Sequence, residues 1–197
     1  MVSFVHDRMR FFFIHIPKTG GVSVTRFFFP TSDVRAARLN FSLKNSGIGI
    51  HDGVNKIEKL LDGDADRYFS FAFYRNSWDW AYSLYRYIKR TTNHPKHPVV
   101  NLSFEEYVLN FSRSFHRPQA PMVAPEGVCR IKRLEDFGDF STAFFEIVQE
   151  LGFEDVNVPH QNAAASSRSY RNAYTREMML ALGDQYEEDI SYFGFKF

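Results

Sequence analysis

A chain of 197 residues with 44% hydrophobic and 24% charged side chains is long enough for one domain with a substantial core and too apolar to be disordered. Its 24 Lys and Arg balance 23 Asp and Glu to a formal charge of +1, so the overall charge argues for no nucleic-acid or membrane-surface partner, and any anion site must be local. One cysteine, Cys129, excludes an internal disulfide and reads, beside Val128 and Ile131, as a small buried hydrophobe. The FFFIHIP run near the start is too short and too soon broken for a signal peptide or a membrane span, so a soluble protein in a reducing, cytoplasmic compartment is expected.

Phe11 to Ile16 is an aromatic and β-branched run stopped by Pro17, the pattern of a buried strand leading into a loop. Gly20 and Gly21 open a helix running to Phe29, and Pro30 ends it. Residues 31–50 are polar and carry no firm assignment. Val54, Ile57, Leu60 and Leu61 suit one face of a short helix that Asp62, Gly63 and Asp64 close with a turn. Tyr68 to Tyr74 alternates Phe69, Phe71 and Phe73 with Ser70 and Ala72, a strand with one bulky face.

Asn76 with Asp79 resembles a capping arrangement for a helix from Ser77 to Arg90. His94 to Pro98, HPKHP, is a loop, and its two histidines lack the companions that a zinc site needs. Ser103 with Glu106 forms a capping box for a helix carrying Phe104, Val108 and Phe111. Three prolines make residues 114–127 an irregular connection and a candidate lid, in which His116, Arg117 and Gln119 either face an acceptor or are solvated loop residues. Gly127 to Arg133 suggests a further strand and Asp139 to Leu151 an amphipathic helix closed by Gly152. Thr175 caps a last helix to about Ile190. Strands alternating with helices, and no dividing linker, predict a single α/β domain over residues 1–197, with three layers and a small central parallel sheet flanked by helices.

The chemistry gathers at two places. In HIPKTGGVS a strand, a glycine pair and a helix start surround Lys18, a P-loop-like cradle in which backbone N–H groups, the lysine and the hydroxyls of Thr19 and Ser23 face an anion. Taken alone, the tetrapeptide KTGG is explained equally well by a tight turn with an exposed lysine. The order is the reverse of the P-loop of nucleoside triphosphatases, because Lys18 precedes the glycines. The second strand also ends in Arg75 where an aspartate for magnesium would stand, so ATP with magnesium is disfavoured. Ser83, eight residues after Arg75, falls under two turns into the helix and in reach of a second phosphate beside the guanidinium.

HIPKTGGVS followed by FAFYRNSWDWAYSLY resembles the two cofactor loops of sulfotransferases that use 3′-phosphoadenosine 5′-phosphosulfate (PAPS), in particular the carbohydrate-type branch and its bacterial relatives. RLEDF at Arg133 to Phe137, HQN at His160 to Asn162, YRNAYT from Tyr170 and QYEEDISYFGF near the end follow the order of that branch. The resemblance implies that Lys18, Thr19, Gly20, Gly21, Val22 and Ser23 bind the phosphosulfate, that Lys18 steadies the bridging oxygen as 3′-phosphoadenosine 5′-phosphate (PAP) leaves, and that Arg75 and Ser83 bind the 3′-phosphate. It also implies a hydroxyl-bearing small-molecule or glycan acceptor, places Asn162 toward the adenine side, and needs no metal. Asn76-Ser77-Trp78 departs from the family, whose relatives often have proline at the middle position. His51, after the glycine-rich GIGIHDG, resembles the family's general base, with a helix-capping or surface histidine as the alternative. His15, in the first strand, reads as structural. Two other readings stay open, a nucleotide-dependent kinase and a non-catalytic PAP-binding protein.

Overall fold

The computed structural model describes residues 3–29, 48–49, 51–90, 98–112, 117–154 and 170–197. The polar stretch 31–47, the HPKHP histidines, His116, and HQN with Asn162 lie outside the described residues. The chain forms two compact units, Met1–Tyr74 with Pro121–Ala163, and Arg75–Ala120 with Ala164–Phe197.

The first unit is α/β. Its sheet has the order β1(Phe4–His6), β2(Phe11–Ile14), β3(Phe69–Tyr74), β4(Arg133–Asp136). β2, β3 and β4 run parallel, with Phe13 opposite Phe71 and Phe73 opposite Glu135, whereas β1 pairs antiparallel with β2. The sheet is therefore mixed, not parallel as the sequence suggested. The cause is a tight hairpin at residues 7–10, in which Arg10 N–H donates to the Asp7 carbonyl (3.1 Å) and the Tyr68 hydroxyl donates to the Asp7 carboxylate. β4 begins at Arg133, not at Gly127, and Cys129 before it is exposed rather than buried.

Alternation along β2 and β3 puts Phe11, Phe13, Phe71 and Phe73 on one face. There they pack with Phe4 and with helices α1(Gly21–Phe28) and α5(Phe140–Glu150) through Val24, Phe28, Phe144, Ile147 and Val148. Each fully buried phenylalanine contributes about 1.5–3 kcal/mol, so this layer is the main source of the unit's stability. The opposite face carries Phe12 and Ser70, and α2(Val54–Leu61) lies on that side, where Glu58 lines a small cleft with both residues.

The second unit is helical. Its core joins α3(Ser77–Arg90), the turn α4(Phe104–Glu106) with its π-helical continuation Tyr107–Phe111, α6(Arg176–Gln185) and α7(Glu187–Phe193). Trp78, Trp80, Ile88, Tyr107, Met178, Leu182 and Tyr186 are buried together. The capping box at Ser103 and Glu106 forms as expected, and Met178 N–H donates to the Thr175 hydroxyl. The last helix is divided, because the chain leaves helical geometry at Tyr186 (φ −118°, ψ 30°). Of the expected lid, residues 117–127 are described, and among them Gln119 and Ala120 of this unit and Met122 to Pro125 of the first are buried. Among the described residues no helix is long and apolar enough to cross a membrane.

Candidate functional site

In the first unit, β2 ends at Ile14 and α1 begins at Gly21, so the six residues between them turn at the carboxyl end of a parallel strand, the end at which open α/β sheets hold ligands. The turn is tight. The Thr19 hydroxyl, fully buried, donates to the Ile16 carbonyl (2.8 Å), so its side-chain proton is engaged within the turn. Lys18 and Gly20 both lie in the left-handed region, at φ 64° and 82°. A lysine there costs about 1 kcal/mol or more, and such outliers gather at ligand-holding turns.

The first backbone bond of α1 runs from Val24 N–H to the Gly20 carbonyl (3.1 Å), and no side chain caps the helix. The N–H groups of Gly21, Val22 and Ser23 precede that bond, and with them comes the positive end of the helix dipole. Both glycines are required by space. A Cβ on Gly20 would sit 2.4 Å from the Phe140 ring, and one on Gly21 would sit 2.1 Å from the imidazole of His15.

His15 is buried, as expected, and it ties the loop to His51. The two rings lie 5.4 Å apart, tilted by 40°. Ser3 secures the same corner, accepting from His15 N–H (3.0 Å) and donating to the Asp52 carbonyl (2.8 Å). The structure thus brings His51 against the residue that covers Gly21. The His51 side chain is exposed, yet desolvation holds its pKa below the usual histidine value, against the opposing effect of the His15 backbone.

In the second unit, Arg75 follows β3 directly, and its side chain is largely buried. Its Nε donates to Asp79 Oδ2 (2.7 Å) and its Nη1 to Ser83 Oγ (3.2 Å), so Arg75 and Ser83 lie side by side. Asp79 was expected to share the helix cap. Asn76 caps alone, its Oδ1 accepting from Trp78 N–H (3.1 Å), while Asp79 orients the guanidinium. Ser77 is the first residue of α3, the position at which proline is favoured for its fixed φ.

Gln119 is not a solvated loop residue. It is fully buried and bonds the backbone of Arg75 on both sides. No local pattern marks it, because the contact spans 44 residues of chain. Comparison of the chain with protein-family models, with curated proteins and with solved structures gave no match.

Proposed function

We propose that the protein is a PAPS-dependent sulfotransferase whose acceptor is a hydroxyl, most simply that of a carbohydrate. The observation that carries this reading is the junction of His51, His15 and Gly21, which joins a proton acceptor to an anion-ready helix start within one unit. The assignment of PAPS itself rests on the sequence resemblance, with the Lys18 loop taking the phosphosulfate and Arg75 with Ser83 taking the 3′-phosphate.

In the reaction the acceptor oxygen attacks sulfur as the bond from sulfur to the phosphate oxygen breaks. The acceptor proton goes to His51, and the electron pair leaves with PAP, whose new negative charge Lys18 and the α1 N-terminus stabilise. A depressed pKa keeps His51 neutral and able to accept at neutral pH.

The experiment is transfer of a labelled sulfuryl group from PAPS to a panel of hydroxyl-bearing glycans, with PAP appearing in equal amount. The rate should fall on the acid side, with a midpoint below 6.5 set by His51, and His51→Ala should remove that limb along with most of the rate. PAP binding without transfer to any acceptor, unaltered in His51→Ala, would favour the non-catalytic reading.

A further inference from the structure

We propose that Gln119 is a positioning residue for the anion held by Arg75 and that Asp189 anchors it, an inference that rests on reading Arg75 as the ligand of a 3′-phosphate. Arg75 stands one residue beyond the last paired position of β3, where Tyr74 meets Asp136, and so has no strand ladder to fix its backbone. The Gln119 carboxamide does what a neighbouring strand would do. Its oxygen accepts from Arg75 N–H (3.0 Å), and its Nε2 donates to the Arg75 carbonyl (2.8 Å).

Gln119 is itself held from behind. Its backbone N–H donates to Asp189 Oδ2 (2.8 Å), and the N–H of Ala120 donates to Asp189 Oδ1 (2.7 Å). Both Gln119 and Asp189 are completely buried, which makes these charge-assisted bonds short and hard to exchange for water. Arg75 is therefore fixed at two ends, its main chain by Gln119 and its guanidinium by Asp79 and Ser83. A rotation at its Cα would be amplified along the side chain, and the anion would lose its aligned donor.

The test compares PAP with adenosine 5′-phosphate, which lacks only the 3′-phosphate, by calorimetric titration of the wild-type protein and Gln119→Leu. Leucine keeps the bulk and removes both bonds. The expected result is a wild-type preference for PAP that falls about tenfold or more in the variant while affinity for adenosine 5′-phosphate is unchanged. A full preference retained in Gln119→Leu would overturn the inference and leave the reading of Arg75 standing. A wild-type protein with no preference would overturn that reading, and this inference with it.

Should Gln119→Leu fail to fold, amide hydrogen exchange of the wild-type protein decides. An Arg75 N–H protected in the free protein and further protected by PAP, but not by adenosine 5′-phosphate, supports the clamp. Exchange at the rate of an unstructured amide overturns it.

Discussion

Replacing Gly21 with alanine is expected to destabilise the fold by about 2 kcal/mol and to abolish binding of a phosphosulfate at the loop. The new Cβ would sit 2.1 Å from Cδ2 and 2.2 Å from Nε2 of His15. That ring is the end of a side chain, but it is buried and lies tilted against the rings of Phe13 and His51, so yielding would disturb both contacts. Relief by moving α1 instead would displace the N–H groups of Gly21, Val22 and Ser23. The pair Gly21→Ala with His15→Ala should therefore recover part of the stability lost in Gly21→Ala alone, a coupling that a double-mutant cycle in urea reads directly. An ordinary turn glycine would tolerate alanine and show no coupling to His15.

The second large effect concerns Asp189. Burial pushes its carboxyl up to about 6, against the two backbone N–H bonds that favour the charged form. A carboxyl raised from 3.8 holds its proton more tightly in the folded than in the unfolded chain. Its contribution to stability is then fully present below about pH 4 and is lost as pH rises through about 6, a change of roughly 3 kcal/mol at 1.36 kcal/mol per unit. Depression of the His51 pKa acts in the other direction, removing stability as pH falls below 6.5. The two are separated by Asp189→Asn, which should flatten only the carboxyl window when urea midpoints are compared from pH 4 to 7. Asp189→Ala is more severe, because it strands two buried N–H donors at about 1–3 kcal/mol each.

Much of the first unit was legible because its signals are local. An aromatic run marks β2, alternating phenylalanines mark β3 and a glycine pair marks the start of α1; in the second unit the capping box at Ser103 and the cap at Thr175 mark helix starts, all within a few residues. β1 was missed because three residues carry too little periodicity to stand out, and its partner is chosen by a hairpin with no glycine at the turn. Asp79 sits three residues after Asn76, the spacing of a capping box, and only the guanidinium of Arg75 explains where its carboxylate goes. Gln119 and Asp189 were illegible for a different reason. Their bonds join positions 44 and 70 residues apart, and burial rather than pattern gives them their strength. Cys129 misled because its apolar neighbours are themselves uneven, Val128 being exposed and Ile131 buried.

We propose that the Lys18 loop and Arg75 with Ser83 serve a nucleotide carrying a 3′-phosphate without a metal. Calorimetric titration of the purified protein with PAP in the presence of a chelator, with ATP and magnesium as the comparison and Arg75→Ala as the variant, tests it most directly. PAP should bind without a metal and ATP more weakly, and the variant should lose about a hundredfold in PAP affinity, as expected for a removed charge-assisted contact. Preferential binding of ATP with magnesium, or PAP binding indifferent to Arg75, would contradict it.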